Sequence, residues 1–167
     1  KSIYVWLALL MIGMAVVGFW ESYFGPLVFG TLDMHWVLHL HAAVFSGWLL
    51  LFLGQAVLAG RGELRLHQSI GLRLGTVWGA LLVAVGLVVM FAVIVTGIGD
   101  DNHTSRAFAV TLSAASGDLI SFSLLFGGGL LYRHRPEVHK RLMVLATVAL
   151  MGAPVGRLSG SVGGGFL

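Results

Sequence analysis

The sequence predicts an all-α membrane protein, a bundle of about five transmembrane helices, and three observations support this fold class. Hydrophobic residues make up 57% of the 167 residues, and only 10% are charged, whereas a soluble domain carries roughly 25% charged residues. The mean hydropathy is +0.94. Five apolar stretches approach the length of about 20 residues that a helix needs to cross a bilayer. We therefore expect a single integral membrane domain over residues 1–167, in contact with the lipid bilayer.

The apolar stretches set the predicted spans in order along the chain. The first covers residues 3–20, and we interpret it as a span because no small-residue cleavage site precedes Glu21. The later spans are expected at residues 36–60, 70–99, 107–132 and 139–155. The fifth is the shortest, and Pro154 lies within it.

The charges of the loops predict the orientation. Basic residues flank the loop after span two and the loop after span four: Arg61, Arg65 and Arg73, then Arg133, Arg135, Lys140 and Arg141. The other two loops are mainly acidic, with Glu21, Asp33, Asp100 and Asp101. Because basic loops stay on the cytoplasmic side, we predict a cytoplasmic amino terminus.

Spans two and three resemble spans four and five. An offset of 72 residues places Arg61 on Arg133 and His67 on His139. This pattern predicts a parallel repeat of two helical hairpins, about an axis along the membrane normal. The alternative is that any two hairpins with basic loops look alike.

Three glycines recur every four residues at the start of span three: Gly71, Gly75 and Gly79. They share one helical face, and small residues let helix backbones approach closely in a membrane. We predict that this face packs against another helix.

Asp118 is expected to be a buried polar residue, because it lies roughly 16 Å into span four at 1.5 Å per residue. A carboxyl group at that depth is costly unless it is neutral or paired. One interpretation is a proton-relay or ion-binding group. The other is a structural hydrogen bond to a neighbouring helix, with Ser46 or Trp48 as the partner.

Histidines at the predicted outer end suggest a divalent metal site. His35 and His39 are four residues apart and share a helical face, which suits metal ligation. His103 and Asp33 are the expected additional ligands. The alternative is that these are interfacial residues in contact with water.

Histidines at the predicted cytoplasmic end suggest haem b. A haem needs axial imidazoles from facing helices, and His67 and His139 begin neighbouring spans near several arginines. His41 is the next candidate ligand because of its depth. The alternative is that the two helix-start histidines join the hydrogen bonds of the loops.

The sequence excludes cysteine chemistry and contains no motif for several common activities. The chain has no cysteine, which excludes disulfides, thiolate metal sites and cysteine nucleophiles. We find no hydrolase, phosphate-loop, dinucleotide or nucleic-acid motif, and expect no nucleic-acid partner.

Several motifs resemble those of a family of small bacterial polytopic membrane proteins. These motifs are His39-x-His41, Gly60-Arg61 followed by Leu66-His67 and Gly71, and Arg135-Pro136 followed by His139-Lys140-Arg141-Leu142-Met143. The resemblance implies a helical bundle in the bacterial cytoplasmic (inner) membrane and no particular reaction. A weaker likeness to the helical b-type cytochromes comes from histidines on apolar helices.

Three functions are compatible with these features. We expect foremost an accessory or structural subunit that packs with other membrane subunits in a larger respiratory or photosynthetic complex, because the chain is small and has no complete catalytic set. The first alternative is a haem- or metal-binding redox protein that uses the histidines. The second is a small transporter or proton-conducting protein that uses Asp118.

Overall fold

The structure is a computed structural model that describes residues 3–96 and 106–163, and within these ranges the chain is helical, without strands. The helices are α1 Ile3–Gly18, α2 Gly25–Phe29, α3 Trp36–Arg61, α4 Leu64–Ile70, α5 Thr76–Thr96, α6 Arg106–Leu131, α7 Pro136–Ala149 and α8 Gly152–Gly163. Two short π-helical segments, Trp20–Phe24 and Gly71–Gly75, precede α2 and α5.

Helix length and hydropathy identify a polytopic membrane protein. Three helical stretches are long and apolar enough to cross a membrane: Trp36–Arg61, Leu64–Thr96 and Phe108–Leu131. The number rises to five if each of two bent pairs is one span. The bends are 58° between α1 and the Trp20–Phe29 segment, and 47° between α7 and α8. The predicted membrane class and helical bundle are confirmed.

Two helical stretches start earlier than the predicted spans, and the bends interrupt the predicted spans 3–20 and 139–155. The helical stretch of the third span starts at Leu64, six residues earlier than predicted, so His67 lies within helix α4. The fifth starts at Pro136, which suits the first helical turn because its missing N–H has no intrahelical partner there. Apolar composition alone missed both starts because each first turn is polar.

Contacts between helices define two ends of the bundle. At one end the Lys140 ammonium lies 5.8 Å from the ring centroid of Tyr4, near the start of α1. The His67 and His139 rings also meet there, so both arginine-bearing loops share this end, which we call the basic end. At the other end, the distal end, Arg157 donates a hydrogen bond to Ser22. Which membrane face each end occupies remains a prediction.

Aromatic packing forms the centre of the bundle. The Trp48 ring packs edge-on against Phe122 and Phe126, at centroid distances of 5.1 and 5.3 Å. Thr147 is fully buried, accepts a hydrogen bond from Trp48 Nε1 at 3.3 Å and donates one to the Met143 carbonyl. This cluster ties α3, α6 and α7 together, while many large apolar side chains on the outside remain exposed for lipid.

Candidate functional sites

The structure brings the two predicted cytoplasmic histidines together at the basic end. The His67 and His139 rings have centroids 6.2 Å apart and planes inclined at 81°. His67 Nδ1 donates to the Gln55 carbonyl at 3.3 Å, and His139 Nδ1 donates to the Gly129 carbonyl at 2.8 Å. Since a carbonyl can only accept, both rings carry the proton on Nδ1, and Nε2 is the nitrogen left with a lone pair.

Local sequence explains why the two histidines face the preceding helices. Gly62 has a φ of +83° and ends α3, so the chain reverses within two residues before α4 begins. Pro136 begins α7 after a turn of four residues, 132–135. In each hairpin the histidine therefore lies on the first turn of the second helix, within reach of carbonyls at the end of the first. His41, the other haem candidate, lies elsewhere, in the distal half.

A buried amide that the sequence did not reveal lies beside this pair. Gln55 Nε2 and Oε1 are both buried and make no hydrogen bond within the described residues. Oε1 lies 3.1 Å from where a Cβ would stand on Gly71, so Gly71 makes room for this amide. Buried, unpaired polar groups are costly, which makes Gln55 a candidate functional residue at this end.

The predicted glycine face divides into three different environments. Gly71 faces Gln55, and a Cβ on Gly79 would lie 2.5 Å from ring carbons of Phe126. Gly75 is also buried, but a Cβ there would meet no atom within 4 Å. Two of the three glycines thus allow close contacts with other helices of the same chain.

A cavity of about 360 Å³ opens in the distal half of the bundle. Its walls come from α1, the Trp20–Phe24 segment, α3, α5, α6 and the region around α8, and they are mostly apolar. Its aromatic lining residues are Phe19, Tyr23, Phe24 and Phe45. Its polar lining residues are Ser22, Tyr23, His41, Ser46, Asp118 and Arg157.

Asp118 lies on the cavity wall near the middle of α6, partly exposed to the cavity. Its carboxyl group lies against Gly152, the first residue of α8, and would have to shift if a Cβ were added there. Neither Asp118 nor His41 makes a hydrogen bond to another of the described residues. The predicted structural hydrogen bond is therefore absent among them: Trp48 donates to Thr147 instead, and Ser46 lines the same cavity without a hydrogen bond to Asp118.

The two helix bends meet at this cavity. A Cβ on Gly18, the last residue of α1, would lie 2.7 Å from the Pro154 carbonyl in α8, so the two backbones are in direct contact. Beyond this contact Arg157 reaches across to Ser22 at 3.2 Å and over the Phe19 ring at 4.8 Å. Arg157 thereby joins the two bent segments at the distal end.

The histidines predicted as outer metal ligands have protein partners. His35 Nδ1 accepts from the Val37 N–H at 3.4 Å and caps α3, and His39 Nδ1 pairs with the Tyr23 hydroxyl at 3.2 Å. Over residues 3–96 and 106–163, no three His, Asp or Glu side chains gather to hold an ion. His103 lies outside the described residues, as do Asp100 and Asp101, so a site that combines His103 with Asp33 remains a prediction.

No family model, curated protein or solved structure matches the chain. The family resemblance described above therefore remains a prediction.

Proposed function

We propose that this protein is a small redox protein of the bacterial inner membrane that holds a metal centre between His67 and His139. The observation that carries the proposal is the meeting of two imidazoles from two separate hairpins, each with Nδ1 anchored on a backbone carbonyl. Metal-ligating histidines characteristically donate their other ring N–H to a carbonyl or carboxylate, which fixes the tautomer and the ring orientation.

The separation of the rings fits two ligands on one metal. Metal–nitrogen bonds are about 2.0–2.1 Å long, so two coordinating nitrogens lie at most about 4 Å apart. Ring centroids lie farther back than the nitrogens, which makes 6.2 Å between centroids compatible with a shared metal. The inclination of 81° between the planes is compatible with this, because two imidazoles bound to one metal through single bonds need not be coplanar.

The number of ligands favours haem iron over a bare divalent ion. Zinc sites use three or four protein ligands, whereas the described residues supply no third His, Asp or Glu near this pair. A haem brings four nitrogens of its own and needs only axial ligands from the protein. The exposed arginines of the basic end would pair with its propionates: Arg61, Arg65, Arg73, Arg133, Arg135 and Arg141.

A bound haem would supply one-electron transfer, and the chain's own residues would set its position. The Gln55 and Gly129 carbonyls keep Nε2 of each histidine available. Because one ligand comes from each hairpin, the site would also lock the two hairpins together at the basic end. Binding of haem should therefore raise the Tm of the protein as well as give it a visible absorption band.

The test is purification in mild detergent through a tag without histidines, followed by absorption spectroscopy and elemental analysis. We expect a Soret band, either as isolated or after haem is added. His67→Ala and His139→Ala should each abolish it. His134→Ala is the matched control, because His134 is exposed in the loop before α7 and should leave the band unchanged.

Two results would refute this function. One is wild-type protein that takes up neither haem nor a transition metal. The other is folded His67→Ala and His139→Ala variants that keep the wild-type cofactor content. If the wild type instead contains a transition metal but shows no Soret band, and both variants lose that metal, the histidine site holds a metal ion and not haem.

The predicted role as an accessory subunit is compatible with this proposal. It is supported by the small size of the chain and by the large apolar side chains on its outer surface. Co-purification from native membranes tests it independently, because partners should persist in His67→Ala if they bind the outer surface.

A further inference from the structure

We propose that the distal cavity binds a neutral, membrane-soluble molecule with a planar hydroxylated head and an apolar tail. This proposal concerns a different part of the molecule from the histidine pair, and it does not depend on the metal centre. It is a proposal of binding only, and no reaction of the ligand is included.

The size and lining of the cavity are those of a small-molecule site. Ligand pockets measure about 300–1,000 Å³ and combine apolar or aromatic walls with a few polar groups that fix orientation. The volume of about 360 Å³ lies at the lower end of that range, which suits a single ring. Phe19, Phe24 and Phe45 contribute aromatic rings to the lining, and planar heads pack well against such rings.

Asp118 and His41 indicate that the head carries hydroxyl groups. Both side chains line the cavity, and neither hydrogen-bonds to the rest of the described protein. An unpaired polar group costs several kcal/mol in lipid surroundings, and an intramembrane carboxyl is a functional-site candidate by default. A hydroxyl can donate to the carboxylate or the imidazole and accept from either group when that group is protonated.

The charges of the wall argue against a cationic head. A lone carboxylate would favour an amine, but Arg157 lines the same cavity. Its guanidinium is always charged, so an ammonium would gain from Asp118 and lose against Arg157. A neutral head with hydroxyl groups avoids that repulsion and still satisfies the carboxylate.

The test measures binding of a decyl-substituted hydroquinone to the purified protein in lipid nanodiscs by isothermal titration calorimetry. Its dimethoxy analogue has the same ring and tail but no hydroxyl donors. We expect the hydroquinone to bind about tenfold more tightly than the analogue, because the analogue has no hydroxyl to donate to Asp118 or His41. A decyl-ammonium probe should bind more weakly than the hydroquinone.

Three variants locate the site. Asp118→Leu should weaken hydroquinone binding at least about tenfold, whereas Asp118→Asn should retain part of it. Ala115→Phe should block binding, because Ala115 lines the cavity from an exposed position on α6 that tolerates a larger side chain. Ser113→Ala is the matched control, since Ser113 is exposed on the same helix, outside the lining, and should bind as wild type.

Several outcomes would overturn the proposal. Equal affinity for hydroquinone and dimethoxy analogue would mean that the cavity accepts only an apolar tail, such as a lipid chain. Tighter binding of the ammonium probe would mean that the head is cationic. Unchanged hydroquinone affinity in Asp118→Leu and Ala115→Phe would place binding elsewhere. His67→Ala should bind the probe normally, which separates failure here from failure of the metal site.

Discussion

Replacing Gly79 and Gly75 by alanine should have opposite effects on stability, although they are four residues apart on the same face. A Cβ on Gly79 would lie 2.5 Å from two ring carbons of Phe126, about 0.9 Å inside the 3.4 Å at which ordinary contact begins. Phe126 is only 8% exposed and stacks on Phe122 at 5.4 Å. The ring is therefore held from both sides and cannot retreat.

The difference between the two variants isolates the cost of this overlap. Both replacements gain similar helix propensity, up to about 1 kcal/mol, and this gain cancels in the comparison. For Gly75→Ala we expect no further contribution to the free energy of unfolding, because its Cβ would meet no atom within 4 Å. Overpacking a well-packed core costs about 1–3 kcal/mol, so Gly79→Ala should be less stable than Gly75→Ala by about that amount.

Thermal unfolding in detergent, followed by tryptophan fluorescence, measures the difference. For a chain of this size, 1 kcal/mol corresponds to about 2–4 °C in Tm. We therefore expect Gly79→Ala to melt about 2–12 °C below Gly75→Ala, with Gly75→Ala at or above the wild type. Equal melting temperatures, or the reverse order, would refute the packing of α5 against α6 at Phe126.

Two further predictions concern the core and the orientation. Thr147→Val leaves the buried Trp48 N–H without its acceptor, which should lower the free energy of unfolding by about 1–3 kcal/mol. Thr147→Ser keeps the acceptor and should melt close to the wild type. Equal Tm values for the two variants would show that this hydrogen bond does not contribute to stability. Arg61→Cys, in a chain without native cysteine, should resist an impermeant thiol reagent applied to intact cells, and labelling from outside would reverse the predicted topology.

Hydropathy predicts the helices well because it is a local property of the sequence. The second and fourth predicted spans, 36–60 and 107–132, agree with α3 and α6 to within one residue at each end. The pairing of His67 with His139 was also predictable, since both follow short turns and begin the second helix of a hairpin. The Nδ1 hydrogen bonds to Gln55 and Gly129 were not, because they depend on the carbonyl geometry at the ends of α3 and α6.

The cavity could not be predicted from the sequence, because no local pattern of residues indicates it. The sequence suggests His41 as a haem ligand, and Asp118 as a proton carrier or a structural hydrogen bonder. In the structure both line one cavity, together with Arg157. Their proximity follows from how α3, α6 and α8 pack, and residues separated by up to 116 positions carry no spacing signal.

The two helix bends explain why a cavity exists at this level of the bundle. Straight, regularly packed helices would fill this space with side chains, but α1 stops at Gly18 and α7 stops at Ala149. Backbone that leaves helical geometry at membrane depth is tolerated only where it is buried in protein or lines a cavity. Both conditions hold here: Gly18 contacts Pro154, while Asp118 lies against Gly152 at the start of α8. The breaks and the unpaired carboxylate therefore belong to one structural feature, and straightening either bent pair should close the cavity that Asp118 lines.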